Sequence, residues 1–168
     1  DLLAHLHEEV VFELQDALWG RDPDALAFVA RDLNALFSPD AAWLAIVDSE
    51  GRILAGRIGA SDVTSVAARG YFANARASAR QEIAILGVEE GERIAIATPV
   101  RRPVTPFIGM LLVEVRRRDI GDKLQAGLGT SEDLYVVAGA GRLLVRASAP
   151  SEAVRDLSGH PAIGAAIR

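Results

Sequence analysis

The sequence predicts an α+β chain: long N-terminal helices, then one five-stranded antiparallel sheet, then a second, incomplete unit that begins the same pattern again. Three observations predict it. Two helical periodicities precede any strand, five β-rich runs follow between residues 42 and 115, and one strand-turn-strand unit is written twice. The first copy is "WLAIVDSEGRIL" at 43–54 and the second is "DLYVVAGAGRLL" at 133–144. Each is an apolar, β-branched run, a short turn, Gly-Arg and a second apolar run, and Gly51 and Gly141 stand 90 residues apart. Strand-turn-Gly-strand is common by itself; what precedes and follows each copy gives the repeat its weight.

The elements follow in order. Over residues 1–19, Leu3, Leu6, Val10, Leu14 and Leu18 recur at helical spacing opposite Glu8, Glu9, Glu13 and Asp16, and Gly20 is the expected stop. Asp22 then caps a second helix with Pro23 at its first position and Leu26, Val29, Leu33 and Leu36 as its stripe; Ser38-Pro39-Asp40 ends it. Residues 42–48 and 52–56 read as a hairpin across Ser49-Glu50-Gly51. In the crossover, Ser61-Asp62 is expected to cap a short helix, Arg69-Gly70-Tyr71-Phe72 to interrupt it, and Ala73–Ala79 to resume it. Three strands in meander order come next: 83–88, 93–100 and 107–115, joined by a turn at 89–92 and a proline-rich loop at 101–106. A helix from 116 through 128, a turn at Gly129-Thr130-Ser131, the second hairpin, and helical stretches at 151–157 and 161–167 complete the chain. The expected division is a helical segment 1–40, a sheet domain 41–118 and a partial second unit 119–168.

Composition narrows the function. With 168 residues, half of them hydrophobic, the chain can bury one full core and start a second. The net charge of −5 argues against nucleic acid, whose phosphates want a basic surface. There is no cysteine, hence no disulfide and no thiolate metal site. No apolar run approaches the roughly 20 residues of a membrane helix, and no signal peptide is legible. The first residue is Asp, so the chain reads as a piece of a longer protein, with a membrane helix expected ahead of it. His5 and His7, two apart on a helix, face different ways and cannot share a metal, and His160 stands alone before a proline. Gly139-x-Gly141 lacks the third glycine of a dinucleotide fingerprint. Arg116–Arg118 reads as a solvated turn at a strand end. Without a nucleophile, metal set or paired carboxylates, neither enzyme chemistry nor a cofactor is expected.

Taken in order, "AWLAIVDSEGRILA", "RGYFANARAS", "RIAIATPV", "FIGMLLVEV", "GTSEDLYVVAGAGRLL" and "DLSGHPAI" make the chain resemble an extracellular Cache sensor domain of the double-Cache type. The resemblance covers nearly the whole chain through the order and spacing of loose motifs. It implies a PAS-like fold and a ligand-binding module outside the cytoplasmic membrane. Such modules belong to receptors such as histidine kinases, chemoreceptors and cyclases. It also implies a pocket between the sheet and the crossover, with Arg69, Tyr71 and Phe72 in the crossover matching the family's Arg and aromatic pair. An Arg fork suits a carboxylate, and aromatics supply apolar walls. Thr98 is a hydroxyl on the facing strand. Relatives that bind amino acids resemble Arg-x-Trp-Tyr with an Asp near the end of the last strand. Here Tyr71-Phe72 and Glu114 stand instead, which points to a small carboxylate without an amine.

Each of these residues also has a purely structural reading. Arg69 can pair with Asp62 or cap a helix, Tyr71 and Phe72 can plug the core, Glu114 can face solvent by alternation, and Arg76 suits a surface. Three functions are therefore weighed. The first is a membrane-tethered sensory domain that binds a small molecule and shifts its N-terminal helix, the stripe over 3–18 offering a homodimer seam. The second is a cytosolic PAS- or GAF-like dimerisation or cofactor-binding module. The third is an interaction domain whose pocket its own side chains fill.

Overall fold

A computed structural model of the chain describes residues 12–37, 43–58, 62–78, 85–89, 93–102, 105–126, 135–138, 142–146, 148, 156–157 and 159–160. The start of the first helix, the turns expected around 90–92, 129–131 and 139–141, and most of the stretches at 151–157 and 161–167 lie outside these residues. The chain divides into two compact units, residues 1–87 with 95–114 and residues 88–94 with 115–168.

In the first unit, α1 (residues 12–20) and α2 (Pro23–Phe37) come before the sheet. Gly20 belongs to α1; the left-handed residue that ends the helix is Arg21, at φ 50°. The next residue starts α2 as expected: Asp22 Oδ1 accepts the amides of Asp24 at 2.9 Å and Ala25 at 3.4 Å. Leu14, Ala17 and Leu18 of α1 and Leu26, Val29, Ala30 and Leu33 of α2 are buried together in one apolar cluster.

The hairpin is β1 (Trp43–Asp48) and β2 (Ile53–Arg57). Its turn is built on the Asp48 carboxylate, which is 3% exposed. Oδ1 accepts the amides of Glu50 at 2.8 Å and Arg52 at 2.9 Å, while Oδ2 accepts Arg52 Nε at 2.9 Å. Gly51 sits at φ 85°, where a Cβ would lie 2.7 Å from the Ala67 backbone, so both conformation and space require glycine. The crossover is tied back to this turn by Val66 N to Gly51 O at 2.8 Å and Ile53 N to Thr64 O at 2.9 Å. That extended pairing replaces the short helix expected after Ser61-Asp62. The only helix among the described crossover residues is α3 (Gly70–Ala77), with Arg69 as its extended N-cap. Arg69-Gly70-Tyr71-Phe72 therefore starts the helix instead of interrupting it.

The strands β3 (Ile85–Glu89), β4 (Arg93–Arg102) and β5 (Thr105–Arg116) complete a five-stranded sheet of order β2-β1-β5-β4-β3, with β1 antiparallel to both β2 and β5. This is the expected PAS-like α+β arrangement. Side chains of β1 alternate: Leu44 and Ile46 join the cluster under α1 and α2, and Ala45 and Val47 join a second cluster under α3. Gly109 lies where β5 passes under Leu18 of α1. A Cβ there would meet Val47 O at 2.3 Å and both Leu18 δ-carbons at 3.2 Å.

In the second unit, α4 (Arg117–Ala126) lies against β7 (Arg142–Arg146), which pairs antiparallel with β6 (Tyr135–Ala138). The two hairpins repeat one irregularity. Register slips between Ile46 and Val47 in the first and between Val136 and Val137 in the second, at the same place in the repeat. Arg116–Arg118 is not a solvated turn throughout: Arg116 and Arg118 are exposed, but Arg117 opens α4 and is 2% exposed. The switch from strand to helix breaks the alternation there and turns the middle arginine inward.

Candidate functional site

The candidate site is the sheet face beneath the crossover. Ala45, Ala95 and Ala97 give this face small side chains, and Val47, Met110 and Leu112 complete it. Onto it α3 lowers Tyr71, Phe72 and Ala75, the two rings standing four and three residues before the alanine, the spacings that share a helix face. Tyr71 and Phe72 are each 4% exposed. Phe72 meets Phe107 of β5 edge to face, with centroids 5.9 Å apart and planes at 74°. The result is a wall of three aromatic rings over a floor of alanines.

A cation stands at the rim. Arg101, near the end of β4, reaches across to the C-terminal end of α3, where Nη2 donates to Arg76 O at 2.7 Å and lies 3.4 Å from Ala75 O. Those carbonyls carry the negative end of the helix dipole, so a guanidinium is favoured there. The same group lies 5.5 Å over the Phe107 ring. Its Nε is buried and has no hydrogen-bond partner among the described residues. A guanidinium with an unused donor beside aromatic walls can hold a carboxylate whose apolar body lies on those walls.

The five residues singled out in the sequence are placed unequally. Tyr71 and Phe72 are brought together under α3. Arg69 caps the start of α3 through its backbone, is exposed, and makes no side-chain cap. Thr98 falls between Ile96 and Val100, both packed in the α1–α2 cluster, so its strand position faces the helices and not the crossover. Glu114 is not solvated: it is 4% exposed and shares strand parity with Met110 and Leu112. It stands seven residues along β5 from Phe107, on the order of 20 Å at about 3.3 Å per residue. Arg76 is exposed, as a surface residue would be.

Arg101 was invisible to sequence reasoning because residues 101–106 read as a proline-rich loop. The strand in fact runs on through Arg102. That next arginine acts on the opposite face. Arg102 forms an ion pair with Asp16 and lies 4.9 Å over the Trp19 ring, both on α1, while Gln15 Nε2 donates to Arg101 O at 2.6 Å. Successive residues of β4 thus hold α3 on one face and α1 on the other. Among the described residues no group of His, Asp and Glu could hold a metal ion, and no helix is long and apolar enough to cross a membrane.

No family model matches the sequence, and no curated protein is similar to it in sequence. Solved structures are similar in fold. The extracellular domain of rpHK1S-Z16, a protein assigned as a histidine kinase, superposes with a TM-score of 0.69 at 15% identity, over 96% of this chain and 67% of that one. The ligand-binding domain of the Pseudomonas fluorescens chemoreceptor CtaA, in complex with L-isoleucine, gives 0.63 at 17% identity over 94% and 66%. The sensor domain of the V. cholerae histidine kinase DctB gives 0.51 at 20% identity over 80% and 53%. The chain spans between about half and two thirds of these domains. Its fold is that of Cache-type extracellular sensor domains.

Proposed function

We propose that the chain is the extracytoplasmic sensory domain of a membrane receptor. It binds a small carboxylate under the crossover and signals through its N-terminal helix to a cytoplasmic output module. The observation that carries this reading is the pair Arg101 and Arg102. One guanidinium holds the crossover helix and the next holds α1, so a ligand that competes for Arg101 acts on the strand that also anchors the N-terminal helix. A ligand can shift such an equilibrium only by its differential affinity for the two states, and a charge-assisted bond taken from α3 supplies one. The similarity to receptor domains crystallised with L-isoleucine and with L-Gln supports a small-molecule ligand. The unmatched aromatic pair Tyr71-Phe72 favours a carboxylate over an amino acid. In the full-length protein the domain is membrane-tethered. A homodimer seam on the stripe over 3–18 would have to exclude Leu14 and Leu18, which pack into the domain's own core; exposed Phe12 and Trp19 on the same helix leave it an apolar surface.

The inward placement of Tyr71 and Phe72 supports a second reading, in which the pocket is filled by the protein's own rings and the domain serves interaction alone. A thermal-shift screen against small carboxylates, amino acids and amines separates the two. A ligand at a hundredfold excess over its dissociation constant stabilises by about 2.7 kcal/mol, which is roughly 5–10 °C for a domain of this size. The sensor reading expects such a shift with a carboxylate, reduced in Arg101→Lys. No shift with any class would leave the filled-pocket reading standing.

A further inference from the structure

A cavity lies on the side of the sheet away from the crossover, between α2 and the β1–β2 edge, with a volume of about 650 Å³. That is within the range of small-molecule sites, roughly 300–1,000 Å³. We propose that this groove binds a small aromatic carboxylate at a site separate from the one under the crossover.

The helix side of the groove is built by period. Ala27, Ala30, Arg31 and Asn34 fall at steps of three, four and seven along one face of α2, and the two alanines let that face recede. The sheet side is Trp43 at the start of β1 and Arg57 at the end of β2. Two arginines and one asparagine line the groove, and among the described residues no carboxylate does. In a chain of net charge −5, that is a local reversal of sign.

The arginines are differently committed. Arg57 lies 4.2 Å over the Trp43 ring and, among the described residues, has no acidic partner. Stacking fixes the plane of its guanidinium and leaves its in-plane donors available. Arg31 touches Asp32 at 3.3 Å and lies 4.8 Å over the Phe28 ring, but the Arg31 and Asp32 side chains are 71% and 53% exposed and Phe28 is itself exposed, so these contacts hold the arginine weakly. An anion between them would relieve two like charges sharing one cavity and gain a bidentate partner. The indole of Trp43, only partly buried, offers the same ligand an aromatic surface. These features select a flat ring with one carboxylate over a bare anion.

Trp43 is also a reporter. The chain has two tryptophans, and Trp19→Phe leaves Trp43 as the sole emitter while keeping a ring under Arg102. Titration of that variant with benzoate is expected to change the emission saturably. Benzyl alcohol and inorganic phosphate, which each lack one half of the recognition, should bind about tenfold more weakly or worse. Arg31→Ala and Arg57→Ala should each weaken benzoate about tenfold, read by calorimetry as well because Arg57→Ala also alters the indole's surroundings. Arg57→Lys should fall between, and Arg118→Ala, an exposed arginine that does not line the groove, should change nothing. No saturable response to benzoate would overturn the proposal, as would an equal response in the Arg31→Ala/Arg57→Ala double variant or phosphate binding as tightly as benzoate. Arg31 and Arg57 line this groove and are not part of the face under the crossover, so a loss confined to their variants is independent of the outcome there.

Discussion

The two faces of the central sheet are packed by opposite strategies. Toward α1 and α2 the sheet presents Leu44, Ile46, Val100, Leu111 and Val113, and the helices answer with Leu14, Leu18, Leu26, Val29 and Leu33. Medium-sized aliphatic groups meet in equal measure there, the usual way to close-pack an interior. Toward the crossover the sheet presents Ala45, Ala95 and Ala97 beside Val47, Met110 and Leu112, and rings are added from above by Tyr71 and Phe72 and from the start of β5 by Phe107. Where the sheet offers three alanines, a few large rings must fill the space over them. Such a face can be reshaped by moving one short helix, whereas the aliphatic face can change only by repacking many residues together. That asymmetry is what suits one side to hold a ligand and the other to hold the fold.

The sharpest way to break the comparison is Phe72→Ala. If the ring serves only as core, its loss costs about 3–5 kcal/mol, measured by urea unfolding, and only an apolar filler such as benzene recovers part of it. If the space is a ligand site, small carboxylates also restore part of the melting temperature. Leu33→Ala on the other face, at 2% exposure, should cost about 2–4 kcal/mol with no such recovery, since its neighbours are tied to a long helix. Arg101→Ala comes next. Losing its bond to the Arg76 carbonyl should cost about 1–3 kcal/mol and speed hydrogen exchange in α3 while leaving α2 unchanged. The smallest effect concerns the hairpin that both faces share. Burial works to raise the Asp48 carboxyl, but the Arg52 amide, the Arg52 side chain and the Glu50 amide outweigh it and hold it below the ordinary aspartate value. A depressed carboxyl stabilises the fold above its unfolded pKa and loses that contribution as pH falls through the folded one. The stability gap between the wild type and Asp48→Asn should therefore be constant near neutrality and close in acid, below the ordinary aspartate range.

How far the sequence revealed each face follows from the same contrast. The helix face was legible because amphipathic helices advertise themselves: Asp22-Pro23 and the stripe Leu26, Val29, Leu33 and Leu36 are unambiguous, and the first three stripe residues are buried. The hairpin was legible through its turn, Asp48 to Arg52, and its second copy even repeats the slip in register. Thr98 was misplaced for a physical reason. β4 and β5 are covered on both faces, so "RIAIATPV" has no polar alternation from which to read which residue faces which side. Glu114, flanked by valines on a strand of this kind, was equally unreadable. Arg69-Gly70 looked like a break because glycine and an extended cap are what a break looks like, and only the helix that follows distinguishes the two. Arg101 was hidden by Pro103 and Pro106 nearby, which suggested a loop two residues before the strand ends.

Gly109 has a mechanical consequence. With no side chain of its own, it lets the Leu18 methyls rest against the β5 backbone, while its neighbour Met110 packs on the other face with no exposed surface at all. Between the contents of the crossover face and the last turn of α1 there is then a single thickness of polypeptide and no cushion of side chains to absorb displacement. At that point the sheet is a diaphragm stretched between two contacts, and its stiffness, more than the strength of any one bond, sets how much of a small movement on one side arrives at the other.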